Sequence, residues 1–255
     1  MTSVKEAKSW WAGKKIMVPD MTHSRIDEWV LSLDQYRRPN MDILEIGSAE
    51  GQSAIFWLNF FPDCKLTCID WFQGSEEHEF QSDSPFVIGL ESRFDANTAE
   101  YGERVRKLAM HSARGLGQLV EESLRFDLIY VDGAHERDAV MADTLLCWQM
   151  LRTDGIIIWD DYEIDRAEEN TPKKAVDTFL QWHADELTAF HTVRLPGQKN
   201  VQQLWAIRKE RSVPVPVVPV PVVSIPSRTL VQRLLSNRFW SLSHRRLAPQ
   251  PQEGE

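Results

Sequence analysis

Asp132, His135, Asp160 and Asp161 fall in one short stretch of this chain, at the ends of two apolar runs. The runs, Phe126–Val131 and 156–159, stop abruptly at the acids, and one helix-length segment separates them. A strand, helix and strand in that order make a right-handed crossover, so the strands are parallel and their carboxyl ends share one sheet edge. Ligands of open α/β sheets bind at that edge. Three carboxylates with no cysteine and no histidine pair make an all-oxygen set suited to Mg2+ or another hard divalent cation. Without a counter-ion they would repel one another, which itself favours a metal or another bound cation. The plainer alternative stays open: Asp132 caps the next helix, His135 sits idle in its first turn, and Asp160-Asp161 is a solvated strand exit.

The elements that must hold these residues can be read along the chain. A short strand over 42–46 leads through a glycine-bearing turn into a helix over 53–61, which Pro62-Asp63 breaks. A second strand over 65–69 ends in Asp70, and the segment WFQGSEEHEFQSDSP has no period and reads as a loop. Helices over 86–99 and 113–122 flank a strand over 105–110; after the acidic stretch come a helix over 172–187 and strands over 189–194 and 202–207. This alternation predicts an α/β fold, a Rossmann-like doubly wound and mostly parallel sheet with helices on both faces. Residues 1–40 read as an N-terminal helical extension with Trp10, Trp11, Ile26, Trp29, Val30 and Leu33 buried, and with Thr22 or Ser24 capping its second helix. The domain proper spans 41–210, a Pro/Val-rich linker 211–226, and a basic amphipathic tail 227–255.

Composition narrows the class. A chain of 255 residues that is 42% hydrophobic, with ten tryptophans, can bury one ordinary domain. Its net charge of −9 argues against a nucleic-acid binder. Cys64, Cys68 and Cys147 form no CxxC pair and read as reduced core thiols. The start, MTSVKEAKSWWAGKK, has no signal-peptide apolar region and no run is long enough to span a membrane, so a cytoplasmic protein is expected. The tail, with five arginines between Arg228 and Arg246 and an apolar stripe, suits a peripheral membrane contact or an acidic partner, or is a plain appendage. A homo-oligomer is compatible with the chain.

Between the first strand and its helix lies Leu44-Glu45-Ile46-Gly47-Ser48-Ala49-Glu50-Gly51-Gln52-Ser53. Gly47 lets a ligand approach the backbone and Gly51 lets the helix begin close to the strand. The spacing is G-x-x-x-G and not the G-x-G-x-x-G that wraps a dinucleotide pyrophosphate. A carboxylate at Asp70 is placed to accept from two ribose hydroxyls. A nucleoside ligand without a pyrophosphate fits both features, and S-adenosylmethionine leads the candidates; ordinary turn glycines with a turn aspartate are the bland alternative.

The motifs ILEIGSAEGQS, CIDWFQGSEEH, ESRFDAN, FDLIYVDGAH, GIIIWDDY and PKKAVDTFL together resemble the class I S-adenosylmethionine-dependent methyltransferases over about residues 22–208. Within them the chain is similar to the bacterial subgroup that includes metal-dependent macrolide-sugar O-methyltransferases. The resemblance implies a seven-stranded sheet with an antiparallel last strand. It implies cofactor contacts from Glu45, Gly47, Ser48, Gly51, Ser53, Asp70, Trp71 and Asp132, with His111 and Ser112 near the adenine; a loop histidine without a role is the equal alternative for His111. It implies a metal held by Asp132, Asp160 and Asp161, and His135 as general base with Asp132 as its companion in catalysis. Glu76, Glu77 and His78 lie in a loop that could close over the site, Trp159 reads as core, and Tyr162 could line the acceptor pocket. The expected activity is O-methylation of a sugar, glycoconjugate or other small-molecule hydroxyl. Metal-independent transfer to nitrogen or another small molecule, and a non-catalytic cofactor-binding protein, are the alternatives.

Overall fold

The computed structural model describes residues 2–18, 22, 24–74, 83–164, 170–195 and 197–210. Glu76, Glu77, His78, the linker and the basic tail lie outside the described residues. Seven strands form one sheet: β1 (Asp42–Ile46), β2 (Lys65–Asp70), β3 (Val105–Ala109), β4 (Phe126–Val131), β5 (Leu151–Trp159), β6 (Leu187–Val193) and β7 (Gln203–Arg208). Their order is β3-β2-β1-β4-β5-β7-β6. The first five are parallel, and β7 runs antiparallel to both β5 and β6. The order reverses between β1 and β4, so a crevice opens at their carboxyl ends.

The helices are α1 (Val4–Ala7), α2 (Ile26–Leu33), α3 (Gln52–Phe60), α4 (Leu90–Thr98), α5 (Ser112–Glu121), α6 (Arg137–Met150) and α7 (Pro172–Trp182). Alternate strand residues point to opposite faces, and two cores result. Ile43, Cys68, Leu128, Tyr130 and Ile158 pack with Trp29, Phe56, Trp57 and Phe94 on one face. Leu44, Ile69, Ile129, Ile157 and Trp159 pack with Leu119, Val140, Cys147 and Phe179 on the other. Trp11, Ile26, Trp29, Val30 and Leu33 are buried in the first core, and Trp10 packs against it half-buried. Neither Thr22 nor Ser24 caps α2: the cap position is Arg25, without a side-chain cap bond, because a guanidinium has no acceptor to offer the first helical amides.

Three boundaries differ from expectation by more than two residues. β5 begins at Leu151, since the turn-like Arg152-Thr153-Asp154-Gly155 is absorbed as an irregularity opposite Phe126, with Asp154 at φ +61°. The helix expected over 172–187 ends at Trp182, because Leu187 pairs with Arg208 in the sheet. The helix expected from 86 starts at Leu90 behind Gly89, which takes φ +73°. No helix among the described residues is long and apolar enough to cross a membrane.

Candidate active site

The parallel ladder extends one residue beyond the strands and levels the site. Gly47 N donates to Ile69 O (2.9 Å), Asp132 N to Ile46 O (2.8 Å) and Asp160 N to Val131 O (3.0 Å). Gly47, Asp70, Asp132 and Asp160 therefore stand along one edge. A cleft of about 1420 Å3 opens over it, lined by Gly47, Ala49, Asp70, Trp71, His111, Ser112, Asp132, His135 and Asp161 among others.

On the β1–β2 side the chain makes a tight turn. Gly47 adopts φ +81°, and a Cβ there would lie 1.8 Å from the Asp132 carbonyl oxygen. Gly51, at φ +85°, heads α3, and a Cβ would press on Phe94 and Thr98 rather than on the cleft. Asp70 accepts from the Ala49 amide (2.8 Å) and the Phe72 amide (2.7 Å), which ties β2 to the turn. Burial raises the Asp70 carboxyl above the usual carboxylate range, against the opposing amides of Phe72, Ala49 and Ser48. The Trp71 and His111 rings lie 3.9 Å apart, with Trp71 Nε1 donating to Gly74 O (2.6 Å). Ser112 lines the cleft at the start of α5.

Glu45, Ser48, Gly51 and Ser53 do not line the cleft. Glu45 is fully buried beneath the turn, on the face of β1 that meets α3, where it accepts from Trp57 Nε1 (3.0 Å). Burial raises its carboxyl above the usual range, with Ser53, Ser48, Trp57 and Cys68 opposing. Period-two alternation sets Glu45 on the core face of β1, directly under the glycine turn. Glu50, in the same turn, is fully buried and accepts from the amides of Met17 (3.0 Å) and Val18 (3.1 Å) and from Arg93 Nε (3.2 Å). Sequence reasoning missed this grip on the N-terminal segment.

On the β4–β5 side the acids divide. His135 Nε2 lies 3.1 Å from Asp161 Oδ2, and donor atoms of Asp132, His135 and Asp161 all fall within 4.8 Å of one another. Asp160, expected as a third ligand beside Asp132 and Asp161, has both oxygens engaged by the protein and is not in that close group. Its Oδ1 accepts from Arg25 Nη2 (3.0 Å) and from the Asp161 amide (2.8 Å), and its Oδ2 from the Tyr130 hydroxyl. Tyr130 also lies 3.1 Å from Asp132 Oδ2. Burial is the first cause that lifts the Asp132 carboxyl well above the usual range; Asp160 and Asp161 add to it, while Arg25 and His135 pull it back. For Arg25 burial works against the charge, but Asp160, Tyr130, Asp132 and Asp161 raise its pKa on balance. Arg25 supplies the counter-charge that the sequence left unassigned; its position 135 residues from Asp160 carries no local signal. Tyr130 was legible only as a core residue of β4. Tyr162 does not line the cleft but packs in the second core, its hydroxyl donating to Asp177 Oδ1 (2.5 Å).

Residues 44–162 match the model of a methyltransferase-domain family. Among solved structures the chain is similar to TomG, an O-methyltransferase of Streptomyces achromogenes involved in tomaymycin synthesis, seen with S-adenosylmethionine. Identity is 18%, coverage 81% of this chain and 89% of that one, and the TM-score 0.54. An O-methyltransferase from Bacillus cereus bound to S-adenosylhomocysteine gives 18%, 81%, 89% and 0.53 in the same terms. MycE of the mycinamycin pathway, seen with Mg, S-adenosylhomocysteine and mycinamycin VI, gives 15% identity, 83% of this chain but only 57% of its own, and 0.54. No curated protein matches the sequence. At such identities the structures share a fold, and the family match spans β1 to the end of β5, the part that holds the turn and the acids. Residues 44–162 of the chain are thus similar to a methyltransferase-domain family, and the chain shares its fold with O-methyltransferases seen with S-adenosylmethionine or S-adenosylhomocysteine.

Proposed function

We propose that this domain moves the sulfonium methyl of S-adenosylmethionine to a hydroxyl oxygen of a sugar or other small molecule, assisted by a divalent cation. The observation that carries the reading is the 3.1 Å approach of His135 Nε2 to Asp161 Oδ2, beside Asp132, on the cleft shared with Gly47 and Asp70. Asp70 faces the amides of Ala49, Phe72 and Ser48, and a carboxylate has about four acceptor positions, so one remains for a ribose hydroxyl. Trp71 and His111 offer aromatic faces to an adenine. Glu45 supports the turn from beneath.

The carboxylates of Asp132 and Asp161 at that spacing fit Mg2+ or Mn2+, and the Mg of MycE, a neighbour in fold, supports a cation on this chain as well. When bound, such an ion holds an acceptor hydroxyl and makes it easier to deprotonate. The chain's own residues do the rest. Asp132 and Asp161 supply negative charge, Asp161 orients the His135 ring, and His135 takes the hydroxyl proton through the ring nitrogen that does not face Asp161. Arg25 favours a second reading, because a guanidinium 3.0 Å from Asp160 already offsets part of the cluster's charge. Transfer would then need no cation.

An acceptor screen with labelled S-adenosylmethionine tests the activity, and calorimetry should give tight S-adenosylmethionine binding with little affinity for NAD. Chelator should abolish turnover and Mg2+ restore it, and Asp161→Ala should lower it roughly 100-fold or more. Turnover indifferent to both chelator and Asp161→Ala would leave only the cation-free reading.

A further inference from the structure

We infer that Arg25 is the positioning residue of the His135–Asp161 pair, acting through Asp160. The inference rests on the proposed role of that pair but concerns its geometry. Asp160 and Asp161 are adjacent, yet their carboxylates face different partners. What separates them is the backbone of Asp161, at φ +49°. That left-handed conformation is uncommon and costly for a residue with a Cβ, and persists only where neighbours enforce it.

The enforcing contacts converge on one atom. Asp160 Oδ1 accepts the Asp161 amide at 2.8 Å and Arg25 Nη2 at 3.0 Å. The same guanidinium lies 3.7 Å from Asp161 Oδ1, so it faces both acids. Tyr130 fixes the other Asp160 oxygen. Arg25 is itself buried, at 8% exposure, and a charge-assisted bond is stronger there than at a surface. With Asp160 pinned, the Asp161 amide has its acceptor and the left-handed turn is held. Asp161 Oδ2 is thereby presented to His135 Nε2. Without Arg25, Asp160 rotates, Asp161 relaxes to ordinary φ, and its carboxylate leaves the imidazole. Arg25 also borders the cleft, but its part in the reaction is to hold Asp160 and Asp161 in place.

Ring 15N–1H spectra of chelator-treated protein with labelled histidine test this without any acceptor. The His135 resonances are assigned by their loss in His135→Gln, and Asp161→Asn gives their position when the pair is altered. In Arg25→Gln the His135 resonances should move away from the wild-type position towards that of Asp161→Asn, while the other six histidines stay in place. If Arg25→Gln does not fold, Arg25→Met with Asp160→Leu removes both buried charges together, an exchange that buried pairs often tolerate, and the same shift is expected. His135 resonances unmoved in the folded variant overturn the inference. Once an acceptor is found, Arg25→Gln should lower kcat by about the factor of Asp161→Asn, with KM for S-adenosylmethionine unchanged. Arg25→Gln combined with Asp161→Asn should be no slower than Asp161→Asn alone; multiplied losses would overturn the inference. Failure to find any acceptor would count against the proposed activity and leave the spectra to decide on Arg25.

Discussion

At the scale of single residues, the site depends on positions where a side chain is either indispensable or forbidden. Gly47 is the second kind. An added methyl would meet the Asp132 carbonyl oxygen at 1.8 Å, and backbone cannot swing aside as a side chain can. Gly47→Ala should therefore destabilise the fold by more than about 1 kcal/mol and weaken S-adenosylmethionine binding, as urea titration and calorimetry would measure. Gly117→Ala serves as the control: nothing lies within 4 Å of its added methyl, and it sits within α5, so a gain of up to about 1 kcal/mol is expected. Gly47, Asp70, Asp132, His135 and Asp161 were all legible in the sequence, because each closes a strand or opens the turn that follows one. That Glu45 stands on the core face of β1 follows from strand alternation, and its Trp57 partner does not. Arg25 could not be read at all, since its partner is set by how α2 packs on the sheet.

Whole elements are stitched to the site by buried polar groups. Glu50 joins the glycine turn to the N-terminal segment at Met17 and Val18 and to α4 through Arg93. Gln52 adds its carbonyl to Trp11 Nε1 (3.0 Å), and Asn97 Nδ2 donates to Glu50 O (2.8 Å). Glu50→Ala leaves Arg93 and two amides without that acceptor. A loss of about 3–5 kcal/mol is expected from breaking a buried pair on one side, with earlier protease cleavage near residue 17. An unchanged urea midpoint would refute this. Strands were read more faithfully than helix ends. Apolar runs bounded by turn formers mark strands well, whereas the end of α7 was decided by a distant pairing between Leu187 and Arg208. In β5 the sheet overrode a turn signal at Asp154-Gly155.

For the molecule as a whole, buried carboxyls set how stability depends on pH. Asp143 on α6 is buried, and burial raises its pKa from 3.8 to about 6, opposed by Ser112. A raised carboxyl pKa means the folded state holds the proton more tightly than the unfolded chain. The contribution is fully present below about pH 4 and is lost as pH rises through about 6. The loss is on the order of 3 kcal/mol at most. Asp143→Asn should thus raise the melting temperature at pH 7.5, with the advantage vanishing near pH 4 in a calorimetric series. An equal gain at both pH values would assign the effect to packing. Asp132, Asp160, Glu45 and Asp70 shift in the same direction, so these buried acids add to the same trend. Net charge was plain in the sequence, but this trend was not, since it depends on which acids are buried.

The long reach of the N-terminal segment also bears on the order of folding. Arg25 meets Asp160 across 135 residues, and Trp29 Nε1 meets Gln203 Oε1 at 2.8 Å across 174. Contacts of such separation close late, because the loop entropy must be overcome first. During synthesis α2 leaves the ribosome early, yet Trp29 cannot meet its partner until β7 has been made. A nascent chain that stops short of β7 can assemble the glycine turn and the parallel strands around it. Arg25, Tyr130 and Asp160 are all made before β7, so the bond of Trp29 to Gln203 is the last of these ties to close and locks α2 over a site already laid out.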